Sequence, residues 1–270
     1  MNDIDQTKSN WDDLAEINAI WFNTPNERIA KNIDLFFQNG KSQLKKELDL
    51  ITSLQISLNK GTALDFGCGI GRITQALAEV FEVSYGIDIS EKMIEIAKKH
   101  NRFGDKCKYI ANIRDDLMIF KDGSFDFVFS DNVLQHNSPD VIKKYIEEFA
   151  RILRPDGILF FQIPLQLPKH VGSVYLKTLP KFHPKRIWNK LRGILIGHDI
   201  STRYYRLRKL GLSKKWLNDT LGLHPHINMY SMEENTVREI LGNLGCIVKH
   251  VEKYDYEKQI HAVFIVVKNV

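Results

Sequence analysis

With 270 residues, 43% hydrophobic and 26% charged, the chain is long enough to bury a large core, and its composition excludes disordered and fibrous classes. Three cysteines, Cys68, Cys107 and Cys246, lack metal-ligand spacing and suggest no disulfide framework, so a reducing, cytoplasmic setting is expected. The net charge of +5 is uneven: residues 165–228 carry thirteen Lys and Arg against two acids, Asp199 and Asp219, which leaves the remainder acidic.

Residues 1–10 are polar, with neither a basic stretch nor an apolar run of a leader, and are expected to be disordered. From Trp11 onward, Leu14, Ile17, Ala19, Ile20 and Trp21 predict a helix ended before Pro25. Ile29, Ile33, Phe36 and Phe37 predict a second, with Gly40 as its C-cap, and Leu44, Leu48, Ile51, Leu54 and Leu58 a third. Trp21, Phe22, Phe36 and Phe37 read either as packing against a sheet or as a helical lid.

Thr62 to Phe66 then reads as a buried parallel strand. Gly67, Gly69 and Gly71 follow, and Ile73, Ala76, Leu77 and Val80 repeat at helical spacing. Such glycines permit positive φ and close approach of backbone to a ligand, with the N–H groups of the new helix facing it. A second strand, Glu82 to Ile87, ends at Asp88, where nucleotide-binding α/β folds place an acid for ribose hydroxyls.

Ser90 caps a helix running to His100, and strands are predicted at Lys106–Ala111, Phe125–Ser130 and Ile158–Ile163. Between the last two, Ser138 and Pro139 open a helix that Arg154-Pro155 ends. Residues 165–228 break this alternation and hold five of the nine histidines, so they read as an insertion. Ser231 with Glu234 forms a capping-box pattern before a helix carrying Val237, Ile240, Leu241 and Leu244. Cys246–Val251 and Ala262–Val267 close the chain as strands.

The turn Asp65-Phe66-Gly67-Cys68-Gly69-Ile70-Gly71-Arg72 has Gly-x-Gly-x-Gly spacing, unlike the Gly-x-Gly-x-x-Gly of dinucleotide enzymes. It resembles motif I of the class I S-adenosylmethionine-dependent methyltransferases, among them bacterial stand-alone members. Gly86-Ile87-Asp88-Ile89-Ser90 with Met93 resembles the second-strand motif of that family, and Ser124 to Ser130 its fourth strand. Val133-Leu134-Gln135-His136 resembles the loop after that strand, and Arg151 to Gly157 the turn into the fifth. The resemblance covers about residues 60 to 164.

It implies an α/β fold, a doubly wound seven-stranded mixed sheet of Rossmann-like type with its last strand inserted antiparallel. Residues 1–59 would form a helical cap, 60–164 the cofactor-binding core, 165–228 a basic lid or substrate insertion, and 229–270 the closing helix and strands. S-adenosyl-L-methionine is the implied cofactor. Gly67, Cys68 and Gly69 would bring backbone against it, Asp65 would lie near its amino group or hold the turn that does so, and Asp88 would accept its ribose hydroxyls. Ile89 and Met93 would line the adenine side, as would Asn112 and Ile113, although asparagine stands where the family often has an acid. Arg72 reads equally as a partner of the methionine carboxylate or as a surface arginine.

Ser130, Asp131 and Asn132 end the fourth strand, where open α/β sheets place ligands, and would border the transferable methyl. His136 is the candidate general base, with a structural histidine as the alternative and His224 and His226 as rivals. No metal ligand set is read.

The expected reaction is methyl transfer to an oxygen, before a nitrogen, of a small or lipid-linked acceptor that is anionic or a glycan. Residues 185–215 mix cations with Trp188 and aliphatic residues, so peripheral contact with an anionic membrane at the inner face is one reading. Arg203, Arg206, Arg208 and Lys209 around Tyr204 and Tyr205 offer phosphate, nucleotide-sugar or RNA binding as another, and a solvated lid face as a third. An RNA methyltransferase, a non-catalytic nucleotide-binding module and an NAD-dependent oxidoreductase stay open as alternatives. The sequence leaves the oligomeric state undefined.

Overall fold

The computed structural model describes residues 3–23, 27–167, 200–225, 227–256 and 259–269. Helices α1 (Asp3–Asn23), α2 (Glu27–Ala30) and α3 (Ile33–Ser53) precede the sheet. Strands and helices then alternate as β1 (Thr62–Phe66), α4 (Arg72–Ala78), β2 (Val83–Asp88), α5 (Glu91–Lys99), β3 (Cys107–Ala111), β4 (Phe125–Ser130), α6 (Pro139–Ile152) and β5 (Leu153–Gln166). The described chain closes with α7 (Ile200–Lys209), α8 (Lys214–Leu221), α9 (Glu234–Asn243), β6 (Cys246–Tyr256) and β7 (Gln259–Lys268). The expected seven-stranded mixed sheet is present, in the order β3-β2-β1-β4-β5-β7-β6. β7 runs antiparallel to both of its neighbours, β5 and β6, and the other pairs are parallel.

Both faces of the sheet are covered, which is why its central strands are apolar at nearly every position. Leu64, Phe66, Val128, Leu159, Phe161 and Phe264 point to the side packed by α6 and α9. Ala63, Phe127, Phe129, Phe160 and Ile265 point to the other, against Leu44 and Ile51 of α3 and Ile73 and Leu77 of α4. This two-residue alternation is the pleat itself. Helix α3 also buries Phe36 and Phe37. Each such side chain contributes about 1.5–3 kcal/mol. Phe36 and Phe37 of the cap thus pack within the fold, while the side chains of Trp21 and Phe22 lie outside the described residues.

Three expectations are corrected. Residues 3–10 are helical, not disordered, because polar contacts hold them: Lys8 bridges Asp12 at 2.8 Å and Glu91 at 3.0 Å. The second and third predicted helices merge from Ile33 to Ser53, since α3 continues through Gly40, while Ile29 belongs to the separate α2 and Leu54 and Leu58 lie beyond α3. At the next boundary Glu233, not Ser231, takes the N-cap position of α9, and Glu234 pairs with Arg238 and Lys253 instead of closing a capping box.

Gly40 is needed for contact rather than for a turn. A Cβ there would lie 2.6 Å from the carbonyl oxygen of Arg72 and 2.4 Å from its Cγ. Alanine favours a helix over glycine by about 1 kcal/mol. Overpacking against backbone costs about 1–3 kcal/mol, and we expect it to win, so Gly40→Ala should lower the midpoint of urea unfolding. An unchanged or raised midpoint would refute this account of the α3–α4 contact.

Candidate functional site

The strand order reverses between β1 and β4, and open α/β sheets hold ligands in the crevice at the carboxyl ends of strands at such a point. The turn after β1 enters that crevice with Gly67, Gly69 and Gly71 at φ of 74°, 53° and 85°. Side chains other than glycine are strained there. A Cβ on Gly67 would also meet Val133 Cγ2 at 2.2 Å, and one on Gly71 would meet the Tyr109 hydroxyl at 2.4 Å. The closest neighbours of these two glycines are thus other parts of the chain.

Three N–H groups of the turn itself are engaged internally. Those of Gly67 and Cys68 donate to the Ile87 carbonyl at 2.8 and 2.9 Å. That of Gly69 donates to Asp88 Oδ2 at 2.9 Å, while Ser90 N–H donates to Asp88 Oδ1 at 2.8 Å. Asp88 is thereby locked in orientation beside the turn, and each carboxylate oxygen keeps a further acceptor direction. Burial raises its pKa to about 6, opposed by these two N–H groups.

Asp65, Gly67, Cys68, Arg72, Ile73, Phe129, Asp131 and Asn132 line a hollow of about 40 Å³. Asp65 is buried at its base and accepts from Thr74 Oγ1 at 2.7 Å. Arg72 donates to Asn39 Oδ1 at 3.0 Å and Gln43 Oε1 at 2.8 Å, and Gln43 Nε2 donates to Asp131 Oδ2 at 2.9 Å. A guanidinium and two carboxylates facing one space form a donor set suited to a zwitterion, such as the amino-acid end of S-adenosylmethionine. Asp88, acceptor-only, suits a vicinal diol. The residues fit the cofactor's polar ends. Ligand pockets usually exceed about 300 Å³, so a hollow of this size accounts for only part of the cofactor.

Burial also raises Asp65 to about 7, against the opposing Thr74 hydrogen bond and Arg72 charge. An acid whose folded pKa lies above its unfolded value stabilises the fold below the unfolded pKa and loses that contribution as pH rises through the folded one. The free protein should therefore lose stability between about pH 4 and 7 through Asp65 and Asp88. Asp65→Asn mimics the neutral acid and should raise Tm relative to the parent at pH 8 but not at pH 4. Equal differences at both pH values would contradict the assignment.

Several predicted residues lie outside the hollow. Ile89 follows Asp88 and is half-buried. Met93 is buried against Phe36, Phe37 and Ile70, so it serves the joint between α5 and the cap. Asn112 donates from its N–H to Asp88 O at 2.9 Å and from Nδ2 to Asp116 O at 2.8 Å, while Ile113 is exposed. The Ser130 hydroxyl is buried and has no hydrogen-bond partner.

His136 packs edge-on to Trp11, ring centroids 5.3 Å apart, and its Nδ1 lies 3.2 Å from the Asn228 carbonyl. A carbonyl only accepts, so Nδ1 carries the proton and Nε2 keeps its lone pair. Burial lowers this imidazole's pKa to about 4, and it is neutral at pH 7. Of its rivals, His224 sets Nδ1 2.8 Å from the Pro225 carbonyl, and His226 lies outside the described residues.

Sequence reasoning missed the cap's share of the site. Trp11, Asn39 and Gln43 reach it from α1 and α3, and Asp12 accepts from Ser90 Oγ at 2.6 Å. Their only signal is the four-residue spacing of Asn39 and Gln43 on one helix face.

The stretch 185–199 lies outside the described residues, whereas side-chain hydrogen bonds tie α7 to α1. Tyr204 donates to Asp13 at 2.8 Å, and Tyr205 bonds with Asn10 and Gln6. These two rings are thus committed to the cap. Among the described residues no helix is long and apolar enough to cross a membrane, and no cluster of three His, Cys, Asp or Glu could hold a metal.

Residues 64–161 match a family model described as a methyltransferase domain. A ubiquinone biosynthesis O-methyltransferase of Coxiella burnetii is 33% identical over 212 residues, which span 69% of this chain and 89% of that protein. The corresponding enzyme of Bordetella avium is 32% identical over 141 residues, 50% of this chain and 58% of that protein. An uncharacterized protein of Methanocaldococcus jannaschii is 31% identical over 149 residues, 55% of this chain and 65% of its own length. The chain thus spans less than two thirds of the latter two. The crystal structure of magnesium protoporphyrin IX methyltransferase from Synechocystis PCC 6803 with bound SAH shares the fold, with TM-score 0.59 and 18% identity over 99% of this chain and 100% of that one.

Proposed function

The chain belongs to the class I S-adenosylmethionine-dependent methyltransferases, and from that premise we propose that it methylates a hydroxyl oxygen of a small acceptor. The oxygen reading draws on the Coxiella burnetii and Bordetella avium relatives, both named O-methyltransferases. One observation carries the cofactor assignment: Asp88 is oriented by two N–H groups beside a hollow where Arg72, Asp65 and Asp131 oppose their charges.

S-adenosylmethionine, when bound, supplies a sulfonium methyl open to in-line attack. Asp88 would accept the ribose hydroxyls, Arg72 would meet the carboxylate, and Asp65 with Asp131 the amino group. Asn132 would border the acceptor's approach. His136, neutral and with Nε2 unprotonated, would take the proton of the attacking hydroxyl. Its Nδ1–H bond to the Asn228 carbonyl fixes both tautomer and ring orientation. Low basicity limits this role, so base catalysis should lie at the lower end of the usual ~10²–10⁴-fold range.

The acceptor is a small or lipid-linked molecule, taken as anionic from the basic composition of residues 165–228. The same segment supports peripheral contact with anionic lipid. Incubation with S-adenosylmethionine and a panel of phenols, hydroxy acids, glycans and lipid extracts, read by mass spectrometry, tests the reaction. O-methylated product is expected. Product methylated only on nitrogen, or on RNA, would overturn the oxygen assignment.

A further inference from the structure

Behind the hollow, on the α3 side of the sheet, a buried polar chain of Gln162, His261 and Gln259, which the reaction as derived does not use, leads to Asn132. Asn132, at the carboxyl end of β4, has φ of 59°, a conformation that costs energy for a residue with a side chain. Its N–H donates to Gln162 Oε1 of β5 at 3.1 Å. Gln162 Nε2 contacts His261 Nδ1 of β7, and His261 Nε2 lies 3.0 Å from Gln259 Oε1. Gln162 is fully buried, with His261 and Gln259 at 2% and 4% exposure.

The order of donors is forced. A backbone N–H can only donate, so Gln162 must turn its oxygen to Asn132 and its NH₂ to His261. His261 Nδ1 must then accept, which leaves the proton on Nε2 for Gln259. Turning the Gln162 amide over would set NH₂ against N–H. Protonating Nδ1 would set N–H against NH₂. Neutral His261 with its proton on Nε2 is the only state in which every bond is made.

Asp131, just after β4, acts on this ring electrostatically, while Tyr254 and Tyr256 of β6 pack on it at centroid distances of 5.6 and 5.9 Å. Burial opposes the charged ring and favours the neutral form.

We infer that Gln162 and His261 are positioning residues: a relay from β7 through β5 that holds Asn132 in its left-handed conformation and so sets the wall of the cofactor hollow next to Asp131. The consequence for ligand affinity rests on the methyltransferase reading, whereas the relay itself can be tested without it. Histidine-labelled full chain, examined by ¹⁵N–¹H correlation spectroscopy with His261→Gln for assignment, should show His261 with Nδ1 unprotonated and Nε2 protonated at neutral pH. An Nδ1–H tautomer, or an imidazolium, would overturn the relay.

Gln162→Leu removes the acceptor of the Asn132 N–H. It should shift that amide resonance and weaken S-adenosylhomocysteine about ten-fold by calorimetry. Gln162→Glu keeps that acceptor but presents an oxygen to Nδ1. It should therefore hold the Asn132 amide and ligand affinity within about three-fold while moving the His261 proton to Nδ1. An Asn132 amide and a ligand affinity unmoved by Gln162→Leu would overturn the positioning role. Failure of the parent chain to bind S-adenosylhomocysteine would instead defeat the methyltransferase reading, and the tautomer and amide shifts would still decide the relay.

Discussion

Asp88→Ala should weaken S-adenosylhomocysteine by about 10²-fold or more, the largest binding loss we expect from a single substitution. Hydrogen bonds to a charged acceptor contribute about 1.5–3 kcal/mol each, and two ribose hydroxyls would meet this carboxylate. The same change frees the N–H groups of Gly69 and Ser90, now held at 2.9 and 2.8 Å, so the turn loses its reference point as well. Asp88→Asn should fare little better. Its NH₂ must face one of those two N–H groups, and one of the bonds that orient the side chain is lost. Calorimetry with S-adenosylhomocysteine, alongside thermal melts, separates binding from folding. An affinity within about three-fold of the parent would remove Asp88 from the site and with it the cofactor geometry proposed above.

His136→Gln should lower kcat with the best acceptor of the panel by about 10²-fold and leave S-adenosylhomocysteine affinity nearly unchanged. The glutamine amide can still donate to the Asn228 carbonyl, so the link between the loop after β4 and residues 227–230 survives. What it lacks is an imidazole nitrogen to receive a proton. The contact with Trp11 would weaken, and Trp11→Ala serves as the control for packing alone. A kcat loss matched by Trp11→Ala would assign His136 to cap packing. A loss confined to His136→Gln supports the base.

Strand and helix assignments were most legible where one local cause dominates. Phe125–Ser130 was read at its observed bounds, because a short apolar run between turn residues has no other stable solution in a covered parallel sheet. Ser90 and Pro139 marked their helix starts through local hydrogen bonding and a fixed φ. Gly40 misled because glycine has two uses, ending a helix or letting another chain segment touch it. Only the position of Arg72 distinguishes them. The helicity of residues 3–10 was invisible for a related reason. Its partners, Glu91 and Tyr205, lie far away in sequence.

The same division runs through the site. Alternate glycines after a buried strand, and an acid ending the next one, follow from backbone sterics and hydrogen-bond chemistry within about twenty-five residues. The sequence alone therefore determined the central strands, the turn and the place of Asp88, whereas the mixed sheet was implied only by the family resemblance. Arg72's engagement by Asn39 and Gln43, the tautomer of His136 and the hold of Gln162 on Asn132 each need groups brought together from distant parts of the chain. Burial at those meeting points sets the charge states of Asp65, Asp88 and His136. Burial is a property of the packed chain, so that chemistry was decided only by the tertiary structure.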